Sequence, residues 1–87
     1  MVDLLQSEPD KQIRIEGHTD STGNSETNLK ISQQRADAVL TALVSLGVNA
    51  ERITSAGMGQ DFPIASNESE DGRAQNRRVD VILLDDL

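Results

Sequence analysis

The chain has 87 residues, with 8 Lys and Arg against 15 Asp and Glu, a net charge of −7, no Cys, Trp or Tyr, and Phe62 as its one aromatic residue. That length allows a single domain around one modest core, and an acidic, aromatic-poor composition argues against nucleic acid, which is held by clustered positive charge and stacking surfaces. No run approaches the ~18 apolar residues of a membrane helix, so no direct membrane insertion by this segment is expected, and residues 1–7 lack the basic and apolar regions of an export signal.

Residues 2–8 combine a Leu pair with good helix formers and then meet Pro9, which resists helical geometry in itself and in its predecessor. A short helix stopping near Glu8 is expected. Gln12-Ile13-Arg14-Ile15-Glu16 alternates polar and apolar residues, the period of a half-buried strand. Gly17 closes it, and residues 18–24 read as a small polar loop. From Ser25 to Leu46 the period turns helical, with Leu29, Ala36, Val39, Leu40, Leu43 and Leu46 on one face. Asn24 or Ser25 suits the N-cap, Glu26 the positive first turn, and Gly47 a left-handed C-cap. Residues 53–56 read as a second strand bounded by Gly57 and Gly59, with Gly57-Met58-Gly59 as a tight turn. Strand, helix and strand make a β-α-β crossover between parallel strands. Residues 60–76, with Pro63 and Gly72, form a long loop carrying a helical turn near residues 71–75, and such loops are usually functional or disordered. Residues 78–83 alternate again as a last strand.

Asp20 follows the carboxyl end of the first crossover strand, where ligands bind in open α/β sheets. Asn28, Ser32 and Arg35 form a polar stripe beside the apolar one, since at about 100° per residue Asn28 and Arg35 differ by only ~20°. The loop from His18 to Asn24 can span more than ~20 Å, enough to fold back along the helix and bring Asp20 beside Arg35. An acid and a guanidinium so placed suit a zwitterion: Arg gives two parallel hydrogen bonds to a carboxylate, and Asp accepts from an ammonium. Spacing by itself favours the plainer reading of a surface ion pair or two solvated charges. A catalytic or metal-binding His18 would need further ligands, or a nucleophile with a base. With no second His and no Cys, a loop-capping or core-edge role is expected. Glu68, Glu70 and Asp71 lack the register of a calcium loop and read as solvated surface. Strand alternation sets Arg78 with Asp80 and Arg77 with Val79, so one arginine points to the crevice or the core edge.

Taken together these segments resemble one family. Ile13-Arg14-Ile15-Glu16-Gly17-His18-Thr19-Asp20, Gly23, and Asn28-Leu29-x-Ile31-Ser32-x-x-Arg35-Ala36-x-x-Val39 stand in the order and spacing of OmpA-like peptidoglycan-binding domains. So do Gly47-Val48, Arg52-Ile53, Gly57-x-Gly59, Pro63 and Gly72-Arg73-Ala74-x-Asn76-Arg77-Arg78-Val79. The family includes the C-terminal domain of OmpA, peptidoglycan-associated lipoprotein and the periplasmic domain of MotB. The resemblance covers about residues 12–83, so residues 1–87 are expected to be one OmpA-like domain. It implies a two-layer α/β sandwich, with helices on one face of a small mixed sheet built on the β-α-β crossover. It also implies non-covalent binding of peptidoglycan through the diaminopimelate residue of the stem peptide. Such binding would anchor an outer-membrane or envelope protein to the cell wall in the periplasm of a Gram-negative bacterium.

The family's key acid falls on Asp20 and its key arginine on Arg35. Asn28 and Arg77 match positions that support the same pocket, and Thr19 and Leu29 line its edge. No enzymatic activity, cofactor or metal is implied. Ile31 takes a place where Leu is usual. Family domains usually open with a strand and a full helix ahead of this segment; both are missing here, apart from a helix tail at Leu4-Leu5. That departure would expose a sheet edge and offer a route to self-association. Its rival implication is a structural protein–protein module of an envelope or motor complex, with a vestigial pocket.

Overall fold

Ile13, Arg14, Ile15 and Glu16 do alternate between buried and half-buried, as a strand with one covered face must. In the computed structural model, which describes residues 2–84, this strand is β1 (Ile13–His18). It lies in the middle of a three-stranded mixed sheet of order β2-β1-β3. β2 (Ile53–Gly59) pairs with it in parallel and β3 (Val79–Leu83) antiparallel. Between β1 and β2 runs α2 (Ser25–Ser45), the crossover helix; α1 (Val2–Gln6) precedes the sheet, and α3 (Glu70–Asn76) leads into β3. The result is the expected two-layer α/β sandwich. Among the described residues no helix is long and apolar enough to cross a membrane.

Local chemistry sets the helix ends. The Asn24 side chain accepts from the backbone N–H of Glu26 at 2.8 Å and of Thr27 at 3.3 Å, satisfying two orphan donors of α2. Gly47, at φ +101°, turns the chain away after Leu46, a conformation that costs any residue with a Cβ about 1 kcal/mol or more. A 3₁₀ turn at Ala50–Arg52 then delivers β2. From that turn, Arg52 donates to the carbonyls of Leu5 (3.0 Å), Glu8 (2.7 Å) and Lys11 (2.9 Å), which ties the opening segment to the sheet.

The core consists of Ile13 and Ile15 from β1, Ala36 and Leu43 from α2, and Leu5, Val48 and Ile53 around them. Each large aliphatic there contributes about 1.5–3 kcal/mol by burial.

The buried stripe of α2 differs from the apolar periodicity. Asn28, Ser32, Ala36 and Leu43 are buried, whereas Leu29 and Leu46 are 46 % and 62 % exposed. At the first half of the helix the cause is Gly17 and Gly57, neighbours across β1 and β2. A Cβ on Gly17 would overlap the Ser32 carbonyl, and one on Gly57 would stand 2.6 Å from the Gln33 nitrogen. With two glycines beneath it, the first half of α2 sits directly on the sheet. Only small or hydrogen-bonding residues fit at that contact.

β1 and β2 run further than their alternation suggested, while β3 begins one residue later than expected. β1 continues through Gly17 into His18, and Gly57-Met58-Gly59 is the end of β2, not a tight turn. Register shifts there: Gly17 faces Gly57 but His18 faces Gly59, so Met58 is the extra residue of a bulge. Glycine at 59 supplies the φ of +62° that this geometry requires.

Candidate functional site

Because β1 and β2 are parallel and β3 returns, the carboxyl ends of β1 and β2, the first turns of α2 and the start of β3 meet at one end of the sheet. Five of the six residues singled out as ligand contacts join elements at that end, and Arg35 reaches it from the middle of α2. Thr19 continues β1, its N–H donating to the Gly59 carbonyl at 2.9 Å. Its hydroxyl donates to the Asp20 carbonyl at 2.9 Å. Asp20 is 8 % exposed; its Oδ1 accepts the Thr22 N–H at 2.8 Å and its Oδ2 the Arg77 guanidinium at 2.7 Å. The Thr22 backbone bond first, then Arg77, hold the Asp20 carboxyl below the usual aspartate range, outweighing its desolvation.

Asn28, on the second turn of α2, gathers the loop. Its amide donates to the Asp20 carbonyl at 3.4 Å, the Thr22 carbonyl at 3.1 Å and Gln60 Oε1 at 2.9 Å. The loop thus folds back along the helix as its length permits. Ser32, one turn on, donates to the Leu29 carbonyl at 2.8 Å and accepts the Gly59 N–H at 3.0 Å, locking helix to bulge. Leu29 stands half exposed over Gly59, where an added Cβ would come within 3.0 Å of its Cδ2.

The plainer reading, in which Asp20 and Arg35 pair with each other, does not hold among the described residues. Arg35 is exposed and donates to the His18 carbonyl at 3.4 Å; among the described residues its guanidinium meets no carboxylate. The arginine on Asp20 is Arg77, which caps α3 just before β3 begins. A strand start is fixed by backbone pairing, whereas position 35 lies mid-helix, above the sheet end. The shorter route to Asp20 therefore belongs to Arg77. Arg77 also reaches Glu70 Oε1 at 2.7 Å, and both acids raise its pKa, Glu70 the more.

Two further residues have roles that the sequence reading did not assign them. Glu70 is more than solvated surface: it binds Arg77 through Oε1 and Arg73 through Oε2 at 3.2 Å, and Arg77 is the first cause of its lowered pKa. A separation of seven residues on a helical turn was the available signal. Asn76 is fully buried and staples the loop before α3. Its Oδ1 accepts from Ile64 (2.8 Å) and Ala65 (3.0 Å), and its Nδ2 donates to the Ala65 carbonyl (3.0 Å) and Asn67 Oδ1 (2.8 Å).

On the sheet face opposite α2, Glu16, His18 and Asp80 bring ligand-type atoms within 4.8 Å of one another. His18 is 2 % exposed, edge-on to Phe62 at 6.5 Å between ring centres. Its Nε2 lies 3.3 Å from Asp80 Oδ2, outside hydrogen-bond geometry. Arg14 holds Glu16 at 2.6 Å and Arg78 holds Asp80 at 3.2 Å, so a cation would have to compete with two guanidiniums. Burial first, then Arg78, push the His18 pKa down, against Asp80 and Glu16. It is a core-edge histidine.

A long helix seated on two strand glycines, with an ionic cluster at the carboxyl ends of parallel strands, defines a small two-layer α/β domain of β-α-β type. The chain belongs to the OmpA family, which it matches over residues 1–77. It is 48 % identical over 80 residues to the probable lipoprotein YiaD of Escherichia coli K12, covering 92 % of this chain and 36 % of that protein. With the peptidoglycan-binding protein ArfA of Mycobacterium tuberculosis H37Rv it shares 42 % over 83 residues, covering 95 % and 26 %. It therefore spans about a third or a quarter of the length of these curated relatives. The crystal structure of the peptidoglycan-associated lipoprotein from Burkholderia pseudomallei superposes with a TM-score of 0.89 at 40 % identity, covering 95 % of this chain and 70 % of that one.

Proposed function

We propose that this domain binds peptidoglycan non-covalently through the diaminopimelate residue of the stem peptide and so anchors an envelope protein to the cell wall, in the periplasm. Asp20 takes the ammonium of the free diaminopimelate end and Arg35 its carboxylate. Asn28 and Arg77 support Asp20, and Thr19 and Leu29 border the contact. Residues 1–87 act as one domain in this reading. No bond is made or broken, and neither cofactor nor metal takes part. The observation that carries the proposal is a buried aspartate facing the site, with an arginine nearby that meets no carboxylate among the described residues. Similarity to a protein named for peptidoglycan binding supports that class of ligand.

Asp20 is buried and Arg35 exposed, so the two charges differ in weight. Asp20, largely desolvated, should cost about 2–5 kcal/mol of binding when changed to Ala. Arg35 is exposed, and Arg35→Ala should cost about 1–2 kcal/mol, where screening by water is strong. Calorimetry with a diaminopimelate-containing stem peptide tests both, and wild-type affinity in both variants would refute the assignment. A Lys-type stem peptide, which lacks the second carboxylate, should bind poorly.

A second reading has its own observation. Among the described residues β2 and β3 are both edge strands, with Ile82 of β3 and Leu84 just after it exposed, so the domain would self-associate through an edge as a structural module. Stable dimers in sedimentation velocity, together with no co-sedimentation with purified sacculi, would favour it.

A further inference from the structure

Asp20 already holds a cation. Arg77 Nη1 lies 2.7 Å from Asp20 Oδ2, while its other nitrogen, Nη2, lies 2.7 Å from Glu70 Oε1. Glu70 is itself steadied by Arg73 on its second oxygen, at 3.2 Å. One guanidinium is thus divided between a buried acid and an exposed one, whose side chains are 11 % and 65 % accessible. An ammonium arriving at Asp20 meets this guanidinium at close range, and like charges at such separation repel.

We infer that Arg77 is a placeholder for the ligand ammonium on Asp20, and that Glu70 is the positioning residue that receives its charge when the ligand takes over. The inference rests on the binding reading above and deepens it. Fork geometry makes the exchange feasible: Arg77 slackens its Nη1 contact while Nη2 stays on Glu70, so the guanidinium is never left without an acid. Binding is then an exchange of cations on one carboxylate. Between visits of the ligand, the buried acid stays neutralised, as a desolvated charge requires. Without Glu70, Arg77 would have Asp20 as its one acid among the described residues, and an ammonium would compete against an undivided pair.

Calorimetry of the 87-residue chain with a diaminopimelate-containing stem peptide, in wild type, Glu70→Gln, Arg77→Gln and the double variant, tests this. Glu70→Gln should bind about fivefold more weakly at low ionic strength, the size expected of an exposed charge. In the Arg77→Gln background the same substitution should change nothing, because Glu70 acts through Arg77. Carbon-detected titration of the Asp20 carboxyl in the free Glu70→Gln protein should show its pKa unchanged or lower, as Arg77 turns wholly to Asp20. Equal affinity of Glu70→Gln and wild type overturns the inference. So does a Glu70 effect that persists without Arg77, or an Asp20 pKa that rises, which would mean that Glu70 merely stiffens α3. If wild type fails to bind the peptide, the binding reading falls and this inference with it.

Discussion

Replacing Gly57 by Ala would test whether α2 really rests on the sheet backbone. The new Cβ would stand 2.6 Å from the Gln33 nitrogen, 2.7 Å from Ser32 Oγ and 2.8 Å from the Leu29 carbonyl oxygen. Ordinary contact begins at 3.4 Å, so α2 must retreat by roughly 0.6–0.8 Å. Overpacking of this kind costs about 1–3 kcal/mol. Loss of unfolded-state freedom returns about 0.4–1 kcal/mol, leaving a net destabilisation of about 1–2 kcal/mol. For a domain of this size that lowers Tm by about 4–16 °C. Gly17→Ala should cost more, about 3 kcal/mol, because its Cβ overlaps the Ser32 carbonyl, which is backbone and cannot rotate aside. Gly23 is the control: it has φ +88° and nothing within 4 Å of an added Cβ. Gly23→Ala meets left-handed strain alone, about 1 kcal/mol. Urea unfolding followed by far-ultraviolet circular dichroism gives all three free energies. Should Gly17→Ala and Gly57→Ala both fall within about 0.5 kcal/mol of wild type, the close seating of α2 would be refuted. The bond from the Gly59 N–H to Ser32 Oγ would lose its basis with it.

Asn76→Ala strips partners from two backbone N–H groups and a carbonyl in one step and should destabilise by about 2–4 kcal/mol. Hydrogen exchange at Ile64 and Ala65 should speed up more than at β1; uniform acceleration would contradict a local staple. Acidification gives a third test. His18 is held neutral below its ordinary pKa of about 6.5, so as pH falls the unfolded chain takes up a proton before the folded one. Its contribution is whole above about pH 6.5 and is lost as pH drops through the folded value, at up to ~1.4 kcal/mol per unit. The lowered Asp20 carboxyl gives a second loss at more acid pH, present above about 3.9 and lost as pH falls through its folded value. Urea midpoints between pH 7 and 5 should fall in wild type and stay level in His18→Gln; a level wild-type profile would show that His18 accepts its proton without penalty.

Period and punctuation determined most of the fold. Alternation at Ile13 and Ile15, the capping chemistry of Asn24 and Gly47, and the helical spacing of Ala36, Val39, Leu40 and Leu43 are local signals, each set within a few residues. They delivered the β-α-β crossover and the end of the sheet where Asp20 lies. The same locality explains what was misread. Glycine carries no hydrophobic signal, so Gly17 and Gly57 looked like stops. Their role as the floor under α2 exists only once two strands from distant parts of the chain are paired. That floor turned Asn28 and Ser32 inward and left Leu29 outside, against the apolar count.

Charge pairing was the least legible feature, because an arginine side chain can reach any acid that the fold brings near. Spacing and capping alone placed Asp20 after β1 and a polar stripe along α2, because those preferences act over one or two turns, and the residues expected around Asp20 came from the family resemblance. Only the fold could settle that Arg77, 57 positions further along, closes on that acid while Arg35 donates to the His18 carbonyl. Distances between separated segments are set by how strands pair and how closely a helix can settle upon them.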